Sequence, residues 1–416
     1  MSEKWEVAVI GGGASGMAAA VRSSELGKKT ILLERGAMLG KKLSATGNGR
    51  CNLMNTGKQQ YYGDAAFAQK VLSRCDLAKQ KAFWHRYGVL LKEESQGRVY
   101  PVTMQASTVV DALKTGLRLN SAEVRLNTEI VAVTPISGTG WLLTAGDGSR
   151  FRAGSVIVAA GGAAAGKLGG TDAGYKLLEP LGYKLNPIFP SLCAIKTDRR
   201  SISGLSGLRV FGTVAVFRNS LELHRETGEI LFTDDGVSGI CIMQCARFVQ
   251  CEGADRLALN LVPTELAEGE RLMEELRYRG ERFADESPSA LLSGIVPKKL
   301  AYAVCKQAGL PMRGEQIRDL RREDYRRIAD CMSHYDLQVA GTRGIEDAQV
   351  TAGGVSCEAF DPETMESRLH PGLYATGEIL NVDGDCGGFN LMFAFGSGLI
   401  AGEHARQKDG QERNEQ

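Results

Sequence analysis

The chain has 416 residues, 43% hydrophobic and 24% charged, and its 50 Lys+Arg against 49 Asp+Glu leave a net charge of +1. These values exclude a disordered chain and a membrane bundle, and no global field would hold the chain on nucleic acid or anionic lipid. Glycine is abundant at 51 residues against 11 prolines, with no Gly-X-Y period, so the glycines point to tight turns and backbone pressed against a ligand.

Glu6–Ile10 is an apolar run that reads as a strand buried on both faces. GGGASG follows it, then a small-residue helix (MAAAVRSSEL) stopped by Gly27, then a strand at Thr30–Leu33 that ends on Glu34. The uncharged stretch from Val7 to Val21 resembles a signal segment in composition, but its glycines suit a nucleotide loop better. In Gly11-x-Gly13-x-x-Gly16 the first glycine makes the turn, the second lets backbone approach a pyrophosphate, and the third lets helix and strand pack closely. Ala14 and Ser15 open the helix, whose free N–H groups and dipole favour that anion. Glu34 is placed to accept from both ribose hydroxyls, which selects FAD or NAD over NADP.

Gly40-Lys41-Lys42 and the loop SATGNGRCN (44–52, ending on Asn52) can give N–H donors along a flavin edge, which favours FAD. Next come a helix over 105–119 and strands over 124–133, 141–145 and 155–160. AAGGAAAG (159–166), with Gly161, returns to the same cofactor. The chain has no second complete GxGxxG with its own acidic partner, so NAD(P)H is expected as a transient reductant on the open flavin face.

The pattern changes after Pro187 and Pro190. Short β-type runs fill 209–262 (RVFGTVAVF, LELHRE, GEILFT). Helices follow: one capped at Thr264 with Leu266, Leu272, Met273 and Leu276 on one face, one opened by Pro297 and ended by Gly309, and one over 315–333. After Gly341 the glycine-rich character returns. LYATGE (373–378) is a strand running into a turn, Gly384, Gly387 and Gly388 follow, and a helix from about Asn390 to Ala401 aims its N-terminus at flavin N1 and O2. The polar tail 403–416 is expected to fray. The expected organisation is an FAD domain from 1–190 plus 341–416, a β-rich insert at 191–262, and a helical insert with return at 263–340.

Together, GKKLSATGNGRCNLMN, GRVYP, GEILFT, QVTAGGV and GDCGGFNLMFAFGSG resemble the BaiN/YhiN-type, aminoacetone-oxidase-like family of FAD-dependent oxidoreductases. The resemblance runs from Val7 to about Gly402. It implies an α/β fold: a discontinuous glutathione-reductase-type, Rossmann-like FAD domain with an inserted β-barrel-like domain and a helical insert. By motif position it places non-covalent FAD on Gly11, Gly13, Ser15, Gly16, Glu34, Arg35, Lys42, Ile130, Gly377, Glu378, Asn390 and Leu391. The sequence departs from the family at Glu378, where Asp is usual, in GGTDAGY (169–175), and at Tyr183 and Asp234, where many members carry His. These departures are expected on the substrate side more than on the flavin side.

Cys51 reads either as a proton donor beside the flavin or as a small buried residue. Arg50, Arg98 and Tyr100 read as substrate-facing or as structural. Ten cysteines without a CxxC pair, five histidines, and the absence of a metal motif or a Ser/His/Asp set fit reduced thiols in the cytoplasm. The basic residues of the helical insert, such as Arg277, Arg279, Arg282 and Arg318, are interleaved with acids and read as a solvated face. The expected activity is reduction of a conjugated C=C bond, as in a 3-oxo-Δ4,6 steroid or bile-acid intermediate. The family resemblance also implies two alternatives: reduction of a uridine C5=C6 bond in ribosomal RNA, and an aminoacetone-type amine oxidase. No motif encodes the oligomeric state.

Overall fold

The computed structural model describes residues 4–136, 140–249, 255–312 and 314–405. The expectation for the tail beyond 405 lies outside the described residues. The chain divides into two compact units, one from both chain ends (to Phe189 and from Ile345) and one from Pro190 to Gly344.

In the first unit, strand β1 (Lys4–Ile10) leads through the glycine turn into helix α1 (Ala14–Glu25) and strand β2 (Thr30–Leu33). β1 pairs in parallel with β2 on one side and with Arg150–Val158 on the other, and Leu373–Ala375 adds in parallel beyond. These strands are continuous apolar runs because both faces are covered; Val7, Val9, Ile31, Leu32, Val156 and Ile157 have no exposed surface. An antiparallel meander (Ile130–Pro135, Trp141–Ala145) completes the sheet. Trp141, Leu143 and Ala145 are buried while the residues between them are half-exposed, the period of two expected of a half-buried strand.

The single strand expected over 124–133 is two strands. Glu123–Arg125 runs parallel to β2, and Ile130–Pro135 belongs to the meander. Asn127, at φ 53, turns the chain between them, and its N–H is spent on Gly36 O. The strand expected from 155 begins earlier, at Arg150.

The last helix, Phe389–His404, packs along α1 through glycines. A Cβ on Gly398 would stand 2.3 Å from Ser15 O, and one on Gly402 would stand 2.3 Å from Ala19 O. Those contacts make the two helices parallel. Phe389 therefore lies nine residues, roughly 13 Å, ahead of the level of Ser15.

The second unit holds a closed six-stranded antiparallel barrel with strands in the order 195–197, 236–238, 221–232, 209–218, 255–260 and 335–342. The runs LELHRE and GEILFT form one strand, Leu221–Phe232, along Arg209–Arg218. The helix expected at Thr264 starts instead at Arg271. Thr264–Leu266 is a single 3₁₀ turn, and Gly269 at φ 58 interrupts the chain before the helix. The third helix starts at Arg322 rather than 315. Asp319 reaches back to accept from Gln316 N at 3.0 Å and closes one short turn, and Asp324 accepts from Arg321 N at 2.7 Å and opens the helix proper. Among the described residues no helix is long and apolar enough to cross a membrane.

Candidate functional site

The glycines of the first turn divide by what surrounds them. A Cβ on Gly11 (φ +104) would lie 2.4 Å from Ala159 O, and one on Gly16 would lie 1.9 Å from Gly11 O. A Cβ on Gly13 would meet nothing within 4 Å. Two glycines are thus required by packing, and the third borders open space. α1 starts at that open space with no acid in its first turn and no side-chain cap among the described residues, which leaves its first N–H groups available to an anion.

Glu34 is fixed beside this turn by the parallel β1–β2 register. Its Oε2 accepts from Gly12 N at 2.6 Å and its Oε1 from Gly36 N at 2.6 Å. Each oxygen keeps a second lone pair for a hydroxyl. Thr128 N donates to Glu34 O at 2.9 Å, which brings the start of the meander, with the buried Ile130, to the same place. Arg35 turns away to donate to Gly169 O at 2.8 Å.

Gly40, left-handed at φ 70, leads into helix α2 (Lys41–Gly49), which covers part of the stretch read from sequence as an open loop. The helix breaks at Thr46 (ψ 147), Gly47 (φ 58) and Asn48 (φ 55), and Cys51 follows at φ 58. Positive φ at two non-glycine residues so close together is locally costly and marks a segment shaped by its surroundings. Lys41 is exposed. Lys42 donates to both oxygens of Glu378, at 3.0 and 2.8 Å, and to Ala164 O at 3.2 Å. Glu378 Oε1 also accepts from Thr351 N and Oγ1, both at 2.9 Å. The Glu378 carboxylate, which the resemblance places on FAD, is thus engaged by Lys42 and Thr351. Gly161 (φ +75) faces open space, whereas a Cβ on Gly162 would collide with Thr351 Oγ1 and Glu378 Oε1. Gly377 leaves room for Ser15 Oγ, 2.6 Å from where its Cβ would stand.

At the last helix, Gly388 (φ 106) is the N-cap, again without a side-chain cap. Asn390 turns its amide back on the preceding turn: Oδ1 accepts from Gly384 N at 2.9 Å, and Nδ2 donates to Gly384 O at 2.7 Å. Its side chain therefore shapes the glycine turn. Leu391 packs against the core.

The four catalytic candidates gather around α2 and the 384–388 turn. Arg50 is exposed, with its guanidinium 5.4 Å from the centre of the buried Tyr100 ring. Arg98 Nε lies 3.9 Å from where a Cβ on Gly387 would stand. Cys51 is fully buried, and burial pushes its thiol up to about 12, against a hydrogen bond with Thr46 that acts the other way. Tyr183, expected on the substrate side, is core: 4% exposed, stacked on Phe360 at 5.2 Å and hydrogen-bonded to Ser367. Asp234 accepts from Ser206 Oγ at 2.5 Å.

Three polar residues were not singled out from the sequence for what they do here. Thr351 sits in the quoted QVTAGGV, whose Val350–Val355 is a strand buried along its whole length, and nothing but that setting signals an inward side chain. Asn55 Nδ2 donates to Gly387 O at 2.8 Å. Tyr175 is buried with its hydroxyl unpartnered, as are Thr376 Oγ1 and Asn52 Oδ1. Buried polar atoms are nearly always satisfied. Three orphans, together with two uncapped helix ends and open glycines, fit a long polar ligand with an anionic centre.

Two uncapped helix ends offset along a parallel pair suit such a ligand, and the architecture is a Rossmann-type FAD-binding domain of the flavin-dependent oxidoreductase class. The model of the HI0933-like protein Rossmann domain matches residues 5–404, and the chain belongs to that family. It is 33% identical to the 3-dehydro-bile acid delta(4,6)-reductase of Clostridium scindens, over 97% of this chain and 99% of that protein. It is 27% identical to the ribosomal RNA dihydrouridine synthase of Haemophilus influenzae, over 95% and 97% respectively. Among solved structures, 3-ketosteroid delta1-dehydrogenase from Sterolibacterium denitrificans superposes with a TM-score of 0.50 at 14% identity, covering 97% of this chain and 99% of that one, a likeness of fold.

Proposed function

We propose that the protein holds FAD non-covalently and reduces the conjugated C=C bond of a small steroid-type enone, with NADH or NADPH as reductant. The observation that carries the cofactor reading is the parallel helix pair, whose two uncapped N-termini are offset by roughly 13 Å with Gly13 open beside the first. The bile-acid reductase relative, alike over nearly its whole length, supports the substrate class. FAD, when bound and reduced by NADH or NADPH, would supply the hydride for the β-carbon of the enone, and solvent would supply the proton for the α-carbon.

The chain's residues bind, orient and polarise. The N–H groups of α1 hold the pyrophosphate. Glu34 accepts from the adenosine ribose, with Ile130 beside it. Gly161, Gly377 and Gly388 let backbone approach the ligand, and Lys42, held by Glu378, places a cation at the flavin end. Arg98, half-buried beside Gly387, polarises the substrate carbonyl, and the exposed Arg50 meets an anionic tail. Cys51, buried with its thiol pushed up to about 12, is a weak acid there and packs the site.

The ribosomal RNA relative supports uridine reduction as a second reading, since the bond chemistry is the same. The cations of the helical segment favour a small substrate, because Arg279 pairs with Glu275, Arg318 with Asp285, and Arg327 with Asp324. Anaerobic turnover of a 3-oxo-Δ4,6 steroid with NADH and with NADPH tests the activity. In the same assay Cys51→Ala should stay within about threefold of wild type. Loss of a general acid typically costs 10²–10⁴-fold, and a drop of that size would return the proton to Cys51.

A further inference from the structure

We infer that Asn52 receives the N3–H of the flavin ring and so selects a cofactor whose pyrimidine edge is unsubstituted. This rests on the FAD reading above and assigns one contact within it. Asn52 is 9% exposed, and its Oδ1 is buried with no hydrogen-bond partner. That oxygen lies 2.8 Å from where a Cβ on Gly388 would stand, at the uncapped start of the last helix. Gly388 is held at φ 106 with Met54 O 2.5 Å from the same point, so any side chain there would displace the amide.

The start of that helix offers N–H donors, and Asn52 beside it offers an acceptor. A ligand that satisfies both needs an acceptor and a donor as neighbours on one edge. The flavin pyrimidine edge has this order, with C2=O next to N3–H. N3–H is present in oxidised and reduced rings alike, so the contact serves binding in both states. Without the ligand Asn52 Oδ1 has only a desolvation cost, and an unmade buried hydrogen bond is expensive.

The test is equilibrium binding of FAD and of 3-methyl-FAD, in which N3–H is replaced by N–CH₃, to the full-length chain freed of flavin. Wild type should bind FAD about 10- to 100-fold more tightly than 3-methyl-FAD. Asn52→Ala removes the acceptor and makes room for the methyl group, so it should bind the two within about threefold. Asn52→Asp keeps an acceptor and should keep the preference. A wild-type protein indifferent to the methyl group, or Asn52→Ala with the preference intact, would overturn the assignment. Wild type binding neither flavin would instead overturn the FAD reading itself.

Discussion

Gly13→Val is expected to weaken FAD retention by roughly a hundredfold or more, about 2.8 kcal/mol, in a chain that still folds. Gly13 has φ −82 and ψ −166, an extended conformation open to any residue. A Cβ there meets no protein atom within 4 Å, so valine costs the fold little. Its methyl groups would instead fill the space in front of the first N–H groups of α1, where the pyrophosphate must approach. The neighbouring glycines behave differently: at Gly11 and Gly16 the obstacle is backbone oxygen, at 2.4 and 1.9 Å, and a side chain there breaks the turn itself. Circular dichroism should show a native spectrum for Gly13→Val, and flavin absorbance should be lost from the purified protein. A folded Gly13→Val protein that stays yellow would refute the placement of the cofactor.

Gly398→Leu should be severe for a different reason. The Cβ of any residue there would stand 2.3 Å from Ser15 O and 3.0 Å from Ser15 C, and neither backbone atom can swing aside. The last helix would have to lift from α1, breaking the contact that sets the spacing of the two N-termini. Overpacking a well-packed core typically costs about 1–3 kcal/mol, and a backbone collision belongs at or above the top of that range. Thermal unfolding should show a large fall in midpoint together with weakened FAD binding. The control is Glu403→Ala, at the exposed end of the same helix, which should leave both nearly unchanged. Gly398→Leu with wild-type stability would show that the helix contact has slack.

Much of the first unit was legible in sequence because its signals are local. A buried parallel strand writes itself as an apolar run, and a turn that tolerates only glycine writes itself as Gly11 and Gly16. The expected interruption of a nucleotide-binding domain by a β-rich and a helical insert follows from such runs and from their return after Gly341, whereas the barrel is what the family resemblance implies. Misplaced boundaries came where polar chemistry outweighed pattern: Asn127 split one expected strand, and the backward caps of Asp319 and Asp324 delayed a helix. Side-chain partners were the least legible. Nothing in the spacing of Lys42, Thr351 and Glu378 announces that they meet, because 336 and 27 positions separate Glu378 from its two partners and only the fold closes that distance. Nor does the position of Asn390, expected as a ligand contact, announce that its amide pins the Gly384 turn. The depth of Cys51 was equally hidden, since a cysteine in a glycine-rich loop gives no sign of whether it faces in or out.

In the proposed reaction the reduced flavoprotein transfers hydride to a steroid-type enone. Its most direct test is a single-turnover experiment without oxygen, in which the photoreduced protein is mixed separately with a 3-oxo-Δ4,6 steroid and with unmodified ribosomal RNA while flavin absorbance is followed. Rapid reoxidation by the enone is expected, with one C=C bond saturated per flavin, and no comparable change with RNA. Reoxidation by RNA but not by the enone, or by neither while aminoacetone and oxygen give peroxide, would contradict it.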